Sequence, residues 1–295
     1  MRILVTGKDG QVGRCLMVQG AETGFEMFGF SSSELNITNI RNVDAVFSQV
    51  KPDLVINAAA YTAVDKAEND QVAAYAVNEL GPKILANKTK RMGIPLFHIS
   101  TDYVFDGERD LPYVETDSPN PQSVYGRSKL MGEEAVKAGN PKNIILRTSW
   151  VFSEYSNNFV KTMLRIGSQN EILKIVNDQI GCPTSAHSIA DVLLSFAKKV
   201  EEEGGLNWGV YHHGQLPLVS WYDLSLKIFE IKKAIKSSVS SPELLPIPSS
   251  SYPQVALRPK NSALNSAKLN EYLGCVQGLW LEDLQKVLDK LLHSH

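Results

Sequence analysis

Short apolar runs and longer stretches of helical spacing alternate from the first residues onward. Residues 2–6 form a brief β-rich run, 10–19 open with the spacing of a helix, 25–30 are apolar again, and 42–50 return to helical spacing. Residues 53–60 are a nearly continuous apolar strand, 73–91 a long helix, 95–100 (Pro-Leu-Phe-His-Ile-Ser) another strand, 128–138 a helix and 143–148 a strand. Strands that are apolar throughout, rather than alternately apolar and polar, are covered on both faces, and the intervening helices supply the cover. The pattern predicts an α/β fold with a doubly wound parallel sheet.

Beyond Trp150 the alternation weakens and aromatic, proline and asparagine residues become denser. A length of 295 residues is long for one compact core. A division is expected there, with residues 1–150 as the first domain and 151–295 as mainly a smaller C-terminal α/β lobe. Residues 185–223, with helical spacing over 190–200 and a short run at 211–213, are a candidate return to the first domain. No internal repeat is visible, and the serine-rich, proline-bearing stretch 237–251 reads as a loop over the surface of the second lobe.

Composition narrows the classes of function. Thirty Lys and Arg residues against 32 Asp and Glu leave a formal charge of -2, so no positive field attracts nucleic acid or an anionic membrane, and neither is an expected partner. The apolar run 3–5 stops at Thr6-Gly7, short of a signal-peptide core or a membrane span, and a cytoplasmic location is expected. Cys15, Cys182 and Cys275 are odd in number and far apart, which reads as free thiols rather than a disulfide framework or a zinc pattern. The pair His212-His213 has no carboxylate or cysteine at ligand spacing, and no metal site is assigned.

The first apolar run leads into Gly7-Lys8-Asp9-Gly10-Gln11-Val12-Gly13, at the opening of the first helix. Glycines there let a backbone approach closely, and the unpaired N–H groups of a helix start favour a diphosphate, which together suggest a Rossmann-like dinucleotide site. Three glycines in a turn are also compatible with a plain tight connection. Where such sites bind NAD, the second strand usually ends in an acid for the ribose hydroxyls. Here it runs into Ser31-Ser32-Ser33, with Glu34 beyond, so neither a repelling carboxylate nor an attracting arginine is expected at a 2′-phosphate, and NADPH and NADH both remain open.

Tyr125 and Lys129 stand four residues apart, on one face of a helix. A phenol of pKa about 10 exchanges protons poorly near neutrality, and a neighbouring ammonium is expected to lower that value. A solvated helix start would carry the same pair. Thr101-Asp102 close the strand 95–100, and groups at the carboxyl ends of parallel strands face the ligand crevice, although the two also suit a turn. Thr101 is placed to hydrogen-bond a carbonyl that Tyr125 protonates.

These motifs, with the stretches 57–68, 100–105, 147–152, 176–179, 181–184 and 258–262, resemble the dTDP-4-dehydrorhamnose reductase family over nearly the whole chain. The resemblance implies NAD(P)H-dependent reduction of the 4-keto group of a nucleotide-linked 6-deoxysugar, yielding dTDP-L-rhamnose for surface polysaccharides. It implies Tyr125 as proton donor, Lys129 as its tuner and a ribose ligand, and Thr101 as the third catalytic group. Gly7, Gly10, Gln11, Val12 and Gly13 would serve the cofactor's diphosphate, Asn36 and Ile37 its adenine, and Ala60, Tyr61 and Thr62 the rest of the dinucleotide. Thr101, Asp102 and Trp150 would touch the sugar nucleotide, Trp150 being equally readable as core. Arg258, late in the second lobe, is read as a ligand of the substrate's diphosphate, or else as a structural ion pair.

The chain departs from the family at Asn36, where aspartate is usual. It departs again at Arg14-Cys15, where some members carry a carboxylate for a dimer-linking metal, so magnesium lacks support and a monomer or weak homodimer is expected. Rival readings are a nucleotide-sugar 4-epimerase, a reductase forming 6-deoxy-L-talose, and a non-catalytic relative that binds a partner protein. The Thr101, Tyr125, Lys129 set argues against the last, since a binding module has no need of a tuned phenol.

Overall fold

The computed structural model describes residues 1–236, 241–274 and 278–293. Its frame is a six-stranded parallel sheet. β1 (Arg2–Thr6) lies between β2 (Glu26–Phe30) and β3 (Leu54–Asn57); beyond β3 come β4 (Leu96–Thr101), β5 (Asn143–Thr148) and, at the far edge, the strand Gly209–His213. The strand order reverses at β1, which opens a crevice at the carboxyl ends of β1 and β3.

Helices cover both faces. In chain order they are α1 (Gln11–Glu22), α2 (Ile40–Val50), α3 (Val64–Ala67), α4 (Gln71–Tyr75), α5 (Gly81–Met92), α6 (Val124–Gly139) and, after α7 (Phe159–Gly167) of the second lobe, α8 (Ala186–Glu203). Against α1 and α8 the sheet presents Ile3, Val5, Ile56, Phe97 and Leu146, packed on Cys15, Leu16, Ile189, Leu193 and Phe196. Against α2, α5 and α6 it presents Leu4, Val55, Leu96 and Ile145, packed on Phe47, Leu85 and Val136.

One residue pair further along, this second face turns polar. Thr6, Asn57 and His98 stand in register on β1, β3 and β4, and Ser100, Arg147 and His212 on β4, β5 and the edge strand, all buried. Burying such groups is costly unless they are hydrogen-bonded. Thr6 Oγ1 donates to Asn57 Oδ1 (2.6 Å), and Arg147 Nε and Nη2 donate to the buried Glu133 of α6 at 2.9 and 2.7 Å.

The second lobe packs α7, the helices Trp221–Ile235 and Trp280–His293, and the parallel strands Ile172–Val176 and Glu243–Ile247 around Phe152, Leu173, Ile228, Trp280 and Leu288. Glu243–Ile247 corrects the expectation of a loop through 237–251. Leu244 packs into the lobe's core, and Pro246 sits in a strand with a single neighbour, where its missing N–H is tolerated. Residues 237–240 lie outside the described residues, as does Cys275; Cys15 and Cys182 are free and buried.

Two further expectations change. The strand expected over 53–60 stops at Asn57, leaving 58–63 as a loop at the crevice. The helix expected over 73–91 is interrupted by a π-helical segment, Ala76–Leu80, between α4 and α5. Such a bulge re-aims side chains, and here it carries the buried Asn78 toward both that loop and α6.

Candidate active site

α1 begins almost directly after β1. Its cap, Gly10, has no side-chain hydrogen bond, and no acidic residue stands in the first turn, so the leading N–H groups are unanswered by side chains. Gly7 has φ +70°, and a Cβ there would lie 2.7 Å from the Ala59 nitrogen; a Cβ on Gly13 would collide with the Gly7 carbonyl. The turn therefore closes only without side chains, and it leaves Gly10, Gln11 and Val12 on the wall of a cavity of about 420 Å³. An uncapped helix start beside a side-chain-free turn fits the diphosphate of a dinucleotide. The Gln11 amide reaches across to the second lobe, donating to the Val151 carbonyl (3.2 Å) and accepting from Ser153 (2.8 Å) and Asn158 (2.9 Å).

The same cavity is lined by Ala58, Ala60 and Thr62 of the crevice loop, Ser100 to Tyr103 at the carboxyl end of β4, Tyr125 and Lys129 of α6, and Trp150 with Asn157 and Asn158 from the second lobe. Ser123 caps α6 by accepting from the Gly126 N–H, which places Tyr125 in the first turn and Lys129 one turn on. The Tyr125 ring meets Tyr103 edge-on at 5.5 Å.

The electrostatics differ from the sequence expectation. Burial pushes the Tyr125 phenol up to about 12, opposed by a hydrogen bond with the Thr101 hydroxyl. The expected lowering by Lys129 is absent because the ammonium is directed elsewhere: Nζ donates to the Ile99 carbonyl (2.7 Å) and lies 3.5 Å from His98 Nε2. Burial pulls Lys129 itself down to about 8, with Glu133 opposing. Asp102 is raised to about 6 by burial, against hydrogen bonds from Ser262 and Thr101. Its Oδ1 accepts from Thr101 Oγ1 (2.9 Å), while the buried Oδ2 has no partner among the described residues.

Trp150 adopts a left-handed backbone, φ +46°, rare for a bulky residue. Its indole stacks on Trp221 at 3.4 Å and 6° and lies against Gly181, where any side chain would collide with it. The strained backbone delivers a flat ring to the cavity wall.

Other candidate residues are distributed less simply. Tyr61 turns its hydroxyl to Asp70 (3.0 Å), while its backbone is held by Asn78, whose Oδ1 accepts from the Tyr61 N–H (2.8 Å) and whose Nδ2 donates to the Tyr61 carbonyl (3.0 Å). Asn36 is tied into its own turn through Thr38, and the Ile37 side chain is buried in the core; neither lines the cavity. At the end of β2 a carboxylate is present after all. Glu34 folds back to accept from the Ser31 N–H (2.7 Å) and hydroxyl (2.8 Å) and pairs with Lys8 (2.7 Å), which holds it down at about 2. The serine turn brings residue 34 back onto residue 31, a proximity the linear sequence conceals.

Arg258 sits on an adjoining cavity of about 590 Å³ that shares Thr62, Val64, Asn157 and Asn158 with the first. Its guanidinium is engaged by Asp65 of α3 at 2.6 Å. His212 Nδ1 donates to the Tyr113 carbonyl (3.0 Å), and His213 pairs with Ser188 (2.8 Å). Among the described residues no cluster of His, Cys, Asp and Glu is arranged to hold a metal ion.

Sequence reasoning missed Asn78, His98, Glu133 and Trp221. The first two carried a signal: a polar residue in the middle of a helical run, and a histidine inside an apolar strand.

Comparison with known proteins joins this geometry to a family. The model of the RmlD substrate binding domain matches residues 1–293. The dTDP-4-dehydrorhamnose reductase of Aggregatibacter actinomycetemcomitans is 43% identical over 97% of this chain and 98% of its own. Among solved structures, a dTDP-4-dehydrorhamnose reductase of Clostridium acetobutylicum superposes with a TM-score of 0.90 at 40% identity, covering 99% of this chain and 100% of that one. The enzyme of Bacillus anthracis, solved in complex with NADP, gives 0.88 at 34% identity over 98% and 99%. With its uncapped helix start, its Thr101, Tyr125, Lys129 cavity and this likeness along the whole length, the chain belongs to the dTDP-4-dehydrorhamnose reductase family.

Proposed function

We propose that this chain uses NADPH or NADH to reduce the 4-keto group of dTDP-4-dehydro-6-deoxy-L-mannose, giving dTDP-L-rhamnose for surface polysaccharide synthesis. The observation that carries the reading is one cavity walled on one side by the uncapped start of α1 and floored by Thr101, Tyr125 and Lys129. When bound, the reduced nicotinamide supplies the hydride that C4 receives. Thr101, turning its hydroxyl proton from Asp102 to the substrate, holds the carbonyl oxygen, and Tyr125, protonated throughout the neutral range, donates the proton to it. Asp102, with its free oxygen, and the flat Trp150 indole orient the sugar nucleotide; Lys129 serves the cofactor's ribose and the phenol's proton supply.

Residues 1–150 with 185–223 are read as the cofactor-binding domain and the remainder of 151–295 as the substrate lobe. The protein is read as a cytoplasmic monomer or weak homodimer, since reduced nicotinamide and nucleotide sugars are held there; no helix among the described residues is long and apolar enough to cross a membrane. Incubation with dTDP-4-dehydro-6-deoxy-L-mannose and NADPH, followed by NMR of the product, tests the reading. The L-rhamno product supports it. The L-talo product would redirect it to hydride delivery on the other face, and redox-neutral interconversion with tightly retained NAD would replace it with epimerisation.

A further inference from the structure

The buried row Thr6, Asn57, His98 crosses three neighbouring strands and ends at Lys129. Each link has a readable direction. Thr6 Oγ1 donates to Asn57 Oδ1 at 2.6 Å, and the Ala59 N–H lies 3.3 Å from the same oxygen, so the amide's carbonyl side faces β1. The Asn57 Nδ2 then faces His98 Nδ1 at 2.9 Å and donates to it. A histidine accepting at Nδ1 is neutral only with its proton on Nε2, and His98 is held neutral by burial and by the nearby Lys129. That Nε2–H points at Lys129 Nζ, 3.5 Å away. An ammonium would set N–H against N–H there, whereas an amine offers a lone pair.

We propose that His98 is a positioning residue for the reduction: its Nε2–H, oriented by Asn57 and Thr6, favours the uncharged form of Lys129 and sets the pH at which the ammonium releases its proton. The inference rests on the reductase reading of Tyr125 and Lys129. Tyr125 gives its proton to the substrate oxygen, the phenolate is reprotonated from Lys129, and the amine left at Lys129, which accepts a hydrogen bond from His98, regains its proton from solvent before the next turnover. The other groups around Lys129 are Tyr125 and Glu133 on its own helix, Asp102 and Tyr103 after β4, and Arg147 on β5, engaged with Glu133; Glu68, just after α3, is engaged with the Val124 N–H at the start of α6. The π segment packed on α6 offers Asn78 to Ser128, and its one acid, the half-buried Glu79, does not line the cavity. Among the described residues only His98 presents a donor to Nζ, and the Ile99 carbonyl accepts in either state of the lysine.

The test is the alkaline limb of the pH profile of kcat, set beside the tautomer of His98 in the unmodified protein. His98→Leu removes the donor and is expected to move the alkaline limb upward by about half a unit or more, whereas His98→Gln, whose amide can accept from Asn57 and donate to Nζ, is expected to stay within about 0.2 unit of the parent. An unmoved limb in His98→Leu overturns the proposal. Because His98→Leu can fail to fold, ¹⁵N-resolved NMR of the unmodified protein provides a second decision: an Nε2–H signature for His98 at neutral pH supports the role, and an Nδ1–H signature overturns it. If the parent protein yields no reduced sugar, the reductase reading fails, and the tautomer measurement still decides the orientation of His98.

Discussion

Arg258 and Asp65 face each other through a two-pronged ion pair: Nη1 donates to Oδ1 at 3.1 Å and Nη2 to Oδ2 at 2.6 Å, across 193 positions of sequence. The fork that suits two phosphate oxygens is occupied in this structure by a carboxylate of α3, and the pair ties the late segment of the second lobe to the crevice side of the first domain. Arg258→Ala is expected to raise KM for the sugar nucleotide more than about tenfold, near 1.4 kcal/mol, at nearly constant Tm. Asp65→Asn, which frees the fork, is expected to leave KM equal or lower. A drop in Tm with unchanged KM in Arg258→Ala would leave the pair a structural tie alone.

Tyr125→Phe is expected to lower kcat by about 10²–10⁴-fold while cofactor affinity stays nearly constant, because only the proton donor is lost. More than a tenth of the parent kcat would reject Tyr125 in that role. Lys129→Ala, by contrast, is expected to weaken turnover and cofactor binding together, measurable as kcat and as the Kd for NADPH.

Asp102 gives a prediction with a defined sign. Its folded-state pKa of about 6 lies above the ordinary value of 3.8, so the folded protein binds more protons between the two values, and stability falls as pH rises through that window. The penalty is on the order of ~3 kcal/mol and is fully present above pH 6. Asp102→Asn is expected to raise Tm at pH 8 but little at pH 4, and to raise KM for the sugar nucleotide. Equal Tm gains at both pH values would remove the buried charge as the cause.

Glu34 and Lys8 lie together at the end of β2, and a 2′-phosphate bound there would meet one repelling and one attracting charge. The ratio of kcat/KM between NADPH and NADH is expected to stay below about a hundredfold, or 2.7 kcal/mol. Glu34→Gln is expected to tilt it toward NADPH by releasing Lys8; a tilt toward NADH would show that the pair stands away from the ribose.

The fold was legible where hydrophobicity alone governs. β1, β4 and β5 are apolar runs, and the helices between them carry regular spacing, so strand order aside the α/β sheet follows from the pattern. The second lobe was less legible, because Glu243–Ile247 pairs with a strand some seventy residues away inside a serine- and proline-rich stretch that resembles a loop. Tyr125, Lys129, Thr101 and Gly10 share one cavity; spacing joined the first two, and the ends of the apolar runs located the others. What spacing could not convey is direction: Lys129 turns to Ile99 rather than to the phenol, and Glu34 folds back across a turn.

The unlike faces of the central sheet have a consequence for how the sequence can drift. Against α1 and α8 any set of aliphatic residues of similar total volume fills the space, so exchanges among Ile3, Val5, Ile56 and Leu146 are interchangeable in pairs and leave the chemistry alone. On the opposite face, Thr6, Asn57, His98, Ser100 and Arg147 are joined by directed hydrogen bonds, and altering one strands its neighbour without a partner. Random variants of this chain should therefore sort by face, with tolerated exchanges gathering under α1 and α8 and lost activity gathering under α6, although both sets of residues are equally hidden from water.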